Sequence, residues 1–471
     1  MTTAEYVLGR SADGLTCNTK LIGHVGATGG FRVHRYVDAA GHECAYYDTT
    51  RLFPTQYLQG GTSGVAVLDM TDPTHPVQTA LLLTPAMITP HESLSINVKR
   101  GLLAADMGNP FTYPGFVDIY DLTGDCRHPV LKSTLPIGVL GHEGGFAPDG
   151  LTFYVTSIAG VLSAVDVSNP ALPVLLTTDF GYRPHGINIS DDGNRLYMAD
   201  IANADATAGL TILDVSDIQS RKPLPKFRVV SKLSWGVVSI PQTAIPVTIG
   251  GRRYVVEMDE FARNAYTGYD PAEPVGAARI IDIADDTKPR VVSDIRLAVN
   301  VASNRAGIGT DPGATNGLGG YTGHYCAVPQ RVDPGIVACT FNLSGLRIFD
   351  IRDPFHPKEL AYFNKMPAGQ TASAMSAPAF VPSRSEIWYA DGNSGFYVVR
   401  LTNGVWPFTT PSASAAAGAA VSRPAPTPAK RVLAVTGRPA PLLAAGVALV
   451  GALVSRRLRR RRSPKVQPGS G

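Results

Sequence analysis

The strongest constraint on what this chain can fold into is a recurring run of apolar residues that ends in aspartate. It occurs as VAVLD to Asp69, VDIYD to Asp121, LSAVD to Asp166, LTILD to Asp214, ARIID to Asp282 and LRIFD to Asp350. A seventh run, FYVVR, ends at Arg400. Several continue into a polar turn closed by proline, as in TDPTHP, SNPALP and RDPFHP. There an Asp or Asn side chain bonds the backbone and Pro presets φ, which is hairpin chemistry. Upstream of each run lies a second pair of apolar stretches divided by a turn, clearest in INISDDGNRLYMAD, where Asp191, Asp192 and Gly193 supply the turn. Each unit therefore reads as four short antiparallel strands. Such units recurring roughly every 45 to 68 residues are what the blades of a β-propeller look like in sequence.

Counting FRVHRYVDAAGHECAYYD with VAVLD as the first unit gives seven, and the last lacks an outer strand after Leu401. The segment TKLIGHV near the N-terminus is expected to supply it, closing the ring and removing exposed sheet edges. The predicted fold is all-β: a seven-bladed β-propeller over residues 18–407, preceded by an extension, 1–17. Long connections at Asp217 to Pro241, Asp259 to Gly276 and before His324 are expected to be loops over one face. The pattern V-x-[IVL]-x-D resembles that of the LVIVD-repeat proteins, which are propeller-like and mostly bacterial. That resemblance implies the architecture and no particular activity.

Apolar residues at 44% and charged residues at 17% suffice for a large core. The net charge of +4 is carried by the tail, where six arginines fall between Arg456 and Arg462 and Arg423, Arg431 and Arg438 precede them. The remaining body is slightly acidic, so nothing points to a nucleic-acid partner. After Trp406 the composition shifts to PSASAAAGAAVSRPAPTPAK, expected as a disordered Pro/Ala-rich linker over residues 408–432. It leads to the pentapeptide Leu433, Ala434, Val435, Thr436, Gly437, then to an uncharged run from Pro439 to Ser455 and the arginines, within a tail spanning 438–471. That order resembles a cell-wall sorting signal of the L-A-x-T-G kind, a variant of the usual L-P-x-T-G. The resemblance implies a sortase that cleaves between Thr436 and Gly437 and joins Thr436 to the cell wall. The other reading is a single membrane span, for which seventeen residues are short against about 20. Either reading places the arginines in the cytoplasm and the propeller outside. The opening MTTAEYVLGRSADGLTCNTK contains no basic segment followed by an apolar run, and a mis-assigned start is the expectation that reconciles it with export; a cytoplasmic protein with a fortuitous tail is the alternative.

Five cysteines, Cys17, Cys44, Cys126, Cys326 and Cys339, form no C-x-x-C pair, which argues against a zinc ribbon or a thioredoxin-like site. Cys17 with Cys44 and Cys326 with Cys339 lie in neighbouring predicted strands and are candidate bridges in an exported protein. Small buried thiols are the other reading.

Aligned on the end of the second strand, the units show a constant spacing of fifteen: His91 to Asp106, His142 to Ser157, His185 to Asp200, Gln242 to Glu257, His324 to Cys339 and Ser376 to Asp391. Four of the six first positions are histidine. In a propeller the first strand of each blade lines the central channel, so these positions converge on one ring. Four imidazoles there, His91, His142, His185 and His324, with Gln242 as a possible addition, make a candidate metal site, and a His-only set favours copper or zinc. Glu92 and Glu143 each follow one of the histidines and are candidates for ligand, orienting group or general base. The same recurrence also fits a structural ring in which each histidine bonds a neighbouring blade's backbone. His75, His128 and His356 precede prolines in the outer turns and read as turn residues. Asp106, Asp200, Glu257, Asp259, Glu260 and Asp391 lie one strand further on and are expected at the opposite end of the channel, as turn caps or oxygen ligands for calcium. The histidine ring resembles, more loosely, the propellers of selenium-binding proteins and nitrous oxide reductase, where histidines at or near the hub bind copper.

No P-loop, G-x-S-x-G elbow or H-E-x-x-H motif is present. The glycine-rich GIGTDPGATNGLGGYTG before His324 lacks the strand and helix of a dinucleotide site and reads as a loop near the channel mouth. Two functions follow as expectations: a surface-anchored metalloprotein, redox or hydrolytic, or a non-enzymatic binding scaffold displayed on a stalk.

Overall fold

The structure, a computed structural model, describes residues 2–8, 14–50, 63–107, 115–138, 141–157, 160–201, 208–235, 240–260, 276–304 and 320–408. All fall within one compact unit, Met1–Gly418. The sorting pentapeptide, the apolar run, the arginine tail and most of the glycine-rich stretch lie outside the described residues. Among the described residues no helix is long and apolar enough to cross a membrane.

Seven antiparallel sheets form the propeller expected from the repeat. Blade 1 comprises Val33–Val37, Glu43–Asp48, Val65–Asp69 and Val77–Leu82, and blades 2 to 6 repeat this order of four consecutive strands. In blade 7 the strands Ala379–Val381, Glu386–Asp391 and Gly395–Leu401 are completed by Thr19–Val25, with Leu21 opposite Val399 and Val25 opposite Phe396. The closing strand is thus TKLIGHV, as its pattern implies. A further strip, Leu15–Cys17, adds a fifth strand to blade 6 by pairing with Lys358–Asn364. It belongs to the stretch read from sequence as an extension. Three residues are too few for a periodicity to be visible there.

The repeat Asp has one job throughout. Asp69, Asp121, Asp166, Asp214, Asp282 and Asp350 each accept a bond from the backbone N–H two residues on, at 2.8 to 3.1 Å, and so shape the turn into the fourth strand. Blade 7 has Arg400 instead, and its fourth strand comes from the N-terminus, so no such turn exists to be capped. His75 and His356 lie in these turns, bonded by Nδ1 to Asp72 and Asp353, and His128 donates its backbone N–H to the Asp125 carbonyl.

The third strands are buried almost end to end because both faces of each sheet pack against neighbouring blades. The core is accordingly a series of interblade layers. Tyr46 and Val67 of blade 1 meet Leu103 and Ala105 of blade 2, and Tyr154 and Leu162 of blade 3 meet Ile187 and Met198 of blade 4. Ala45 and Leu68 of blade 1 meet Trp388 and Val398 of blade 7, so the ring's seam is as apolar as its other joints. Each such large side chain contributes about 1.5–3 kcal/mol. The outer strands face water and show it, as in the exposed ends of Val174–Phe180. One expected loop needs correction: the segment from Asp217 to Pro241 contains the outer strand Arg228–Trp235, paired with Ala208–Asp214. Its alternation is masked by charged and hydroxyl residues because that strand is solvated on one side.

Two disulfides form, Cys44–Cys126 and Cys326–Cys339, and Cys17 is a free thiol. The second is the pair expected across adjacent strands. The first replaces the expected Cys17–Cys44 pair, because Cys17 sits in blade 6 while the turn before blade 2's outer strand brings Cys126 against blade 1. Asp38 holds that turn by accepting from the Cys126 N–H at 3.1 Å. Cys44–Cys126 joins two blades across 82 residues, whereas Cys326–Cys339 spans 13 within one hairpin. Removing the first by a double Cys→Ala substitution should therefore cost about 4 kcal/mol, and removing the second about 3 kcal/mol, from the entropy of the loops they close. Denaturant midpoints test this ranking; equal midpoints for the two variants would remove the loop-length explanation.

Candidate metal centre at the hub

Blades 2, 3, 4 and 6 each begin their first strand on the same face, and the four ring histidines stand at those starts. All are buried, with His324 at 0% and His91 at 8% exposure. Their rings form a chain: Phe31 stacks on His324 at 5.2 Å and on His91 at 4.5 Å, His91 meets His142 at 4.3 Å, and His142 meets His185 at 4.9 Å.

The centre of this ring is filled by the carboxylate of Glu92. Its Oε2 lies 3.2 Å from Nε2 of His142, 3.2 Å from Nε2 of His185 and 3.9 Å from Nδ1 of His91. Its Oε1 is 3.7 Å from Nε2 of His324. Consecutive residues of an extended strand point to opposite faces, yet His91 and Glu92 both point inward. The backbone of His91 makes this possible by taking the left-handed conformation at φ 50°, which costs a non-glycine residue on the order of 1 kcal/mol.

Glu260 is the second carboxylate of the centre, 3.5 Å from Nε2 of His324 and 3.7 Å from Nε2 of His185. This overturns the expectation that the second-strand acids lie at the far end of the channel. First and second strands are antiparallel, so the end of the second faces the start of the first, with Ile240 opposite Glu260 and Pro184 opposite Asp200. Nor do the other five acids form an oxygen ring. Asp259 and Glu257 pair with the buried Arg279, Asp200 accepts from Thr211 at 2.7 Å, and Asp391 accepts from the Ser373 N–H at 2.7 Å. Asp106 is buried and pushed well above its usual range by desolvation.

Behind the histidines lies a layer of paired polar groups. The Glu143 carboxylate takes an ion pair from Arg32 and accepts from the Tyr325 hydroxyl at 3.1 Å and from the Ile187 N–H at 3.3 Å. The Arg32 Nε donates to the Glu92 carbonyl at 2.9 Å, and the guanidinium lies 4.4 Å over the Tyr325 ring. Gln242 belongs to this layer: its Nε2 donates to the Tyr325 hydroxyl at 2.7 Å. Ser376 bonds its own blade through the Ala390 carbonyl at 2.9 Å. Blade 1 contributes Phe31 and Arg32 where other blades contribute histidine, and no repeat spacing singled them out.

The electrostatics separate the two glutamates beside histidines. Burial opposes ionisation of Glu92, but His185, His91 and His142 outweigh it and hold the acid well below its usual range. Burial dominates at Glu143 and raises it to about 7 against the pull of Arg32. Desolvation depresses His91, whereas at His185 it is outweighed by the Glu92, Glu260 and Glu143 carboxylates, which push that imidazole up to about 9.

The donors fit a cation better than they fit each other. Nδ1 of His91 and both ring nitrogens of His324 are buried with no hydrogen-bond partner, and the buried Glu92 oxygens meet only imidazole nitrogens, at 3.2 to 3.9 Å. Buried polar atoms are almost always satisfied, so a cluster of orphans at one point signals a ligand. Of the four, only His185 bonds a neighbouring blade's backbone through its side chain, from Nδ1 to the Pro241 carbonyl at 2.9 Å, which turns its Nε2 toward the centre. A purely structural ring would bond all four. A second grouping, Asp38, His42 and Asp125, lies beside the Cys44–Cys126 disulfide, where Arg127 and backbone N–H groups already satisfy it.

An all-β propeller with a buried His/Glu cluster able to hold a metal is thus the class that fold and site define. The LVIVD repeat is matched over residues 153–178, from the second strand of blade 3 through LSAVD into its outer strand. No curated protein matches the sequence. Among solved structures, hydrazine synthase of Kuenenia stuttgartiensis is similar at 14% identity and a TM-score of 0.52, over 80% of this chain and 97% of that one. The β-propeller domain of Myceliophteria thermophila Cps50 (Swd1) is similar at 12% identity and a TM-score of 0.51, over 82% of this chain and all of that one. At such identities the likeness is one of fold alone.

Proposed function

We propose that this protein is an extracytoplasmic metalloprotein that holds one transition-metal ion at the propeller hub among His91, His142, His185, His324 and Glu92. The observation that carries the reading is the convergence of buried imidazole nitrogens from four blades on the Glu92 carboxylate, with Nδ1 of His91 and both ring nitrogens of His324 lacking a hydrogen-bond partner. Such an ion would act as Lewis acid or redox centre on a substrate reaching the hub. The residues of this chain hold it, shut water out on the Phe31 side, and orient the ligands through the Arg32–Glu143–Tyr325–Gln242 layer. Two disulfides support an oxidising compartment. The tail from Leu433 to Arg462 supports display at the cell surface through a sortase and the cell wall, with the apolar run in the membrane until cleavage.

The test is metal analysis of the protein purified without a His tag, beside a variant carrying His142→Ala and His185→Ala. About one ion per chain in the first and none in the second is the expected result. Metal-free protein in both, even after reconstitution, would leave a displayed binding scaffold as the function.

A further inference from the structure

Resting on the reading of a metal at the hub, we infer which atoms bind it and in what geometry: Glu92, His142 and His185 form one triangular face of a six-coordinate centre suited to iron(II). Their donor atoms are mutually close. Nε2 of His142 lies 3.0 Å from Nε2 of His185, and each lies 3.2 Å from Oε2 of Glu92. With metal–ligand bonds of about 2.1 Å, neighbouring donors stand about 3.0 Å apart at right angles and about 3.4 Å apart in a tetrahedron. The imidazole–imidazole edge of 3.0 Å matches the right-angled arrangement, and the two 3.2 Å edges to Glu92 fall between the two geometries.

Three more donor groups surround the same point. His91 Nδ1 and His324 Nε2 stand 3.9 and 3.7 Å from the Glu92 carboxylate, beyond an octahedral edge, and Glu260 stands 3.5 Å from His324. The charge balance agrees. Arg32 neutralises Glu143, which leaves Glu92 and Glu260 to offset a divalent ion. Mixed imidazole and carboxylate donors on one face, with the other three positions outside that face, are the ligand set that selects non-haem iron(II). The copper or zinc preference drawn from histidines alone did not include either carboxylate.

His91, His324 and Glu260 then face the other three positions, where they hold or bond whatever occupies them. The assignment predicts a ranking. Glu92→Gln, His142→Ala and His185→Ala should each lower metal affinity by more than about 100-fold, whereas His91→Ala and His324→Ala should lower it by about 10-fold.

Cobalt(II) is the probe. Full-length protein stripped of metal and loaded with cobalt(II) is expected to show the weak visible absorption of six-coordinate cobalt, and protein isolated without air is expected to contain iron. Glu92→Gln, which keeps the side-chain shape, should lose cobalt while retaining the thermal transition of the stripped wild type. An intense four-coordinate cobalt spectrum, or Glu92→Gln binding cobalt as wild type does, overturns the facial assignment and leaves the hub metal in place. Failure of the wild type to bind cobalt or any other ion overturns both readings.

Discussion

Deleting residues 1–25 is expected to abolish soluble, cooperatively unfolding protein. The deletion removes Thr19–Val25 from blade 7 and Leu15–Cys17 from blade 6, so Gly395–Leu401 and Lys358–Asn364 both become open edges. It also strips Ile22 and Val25 from the core that joins blades 7 and 1. A propeller gains its stability from closure, and an unpaired edge invites pairing with other chains. The loss should exceed about 5 kcal/mol, a large share of what a domain has. Soluble yield and urea unfolding measure it, and a synthetic peptide of residues 14–25 added during refolding should restore part of the transition. A truncated protein that unfolds at the wild-type midpoint would show that the ring does not depend on this seam.

Replacing Arg32 by methionine should cost about 3–5 kcal/mol, because it leaves the Glu143 carboxylate buried beside Glu92 without its cation. Combining Arg32→Met with Glu143→Gln should recover most of that loss, since the uncompensated charge is then gone while Tyr325 and Gln242 keep a hydrogen-bonding partner. A double-mutant cycle from urea midpoints reads the coupling directly. Arg32→Met within about 0.5 kcal/mol of wild type would mean that Glu143 is protonated in the fold and carries no charge to compensate.

Much of this architecture was written in local chemistry. The Asp-terminated runs, the proline turns and the absence of the Asp at Arg400 mark six internal hairpins and one closed from elsewhere in the chain. The histidine spacing followed from the same repetition, because equivalent positions in a propeller reach one axis. What repetition could not indicate were the residues that differ from blade to blade. Phe31 and Arg32 occupy the hub where blade 1 has no histidine. Glu260 was placed at the wrong end of the channel for want of strand direction, although antiparallel pairing with Ile240 places it at the histidine end.

By itself, then, the sequence determined the all-β repeat, the seven units, the closing strand and the four histidines, since each depends on periodicity, turn chemistry or spacing along the chain. The tertiary structure alone decided that Glu92 sits at the centre of the imidazoles, that Glu260 joins them, that Gln242 serves Tyr325, and that Cys44 bonds Cys126. Those outcomes depend on distances between blades, which are set when interblade layers pack and bring together groups far apart in the chain.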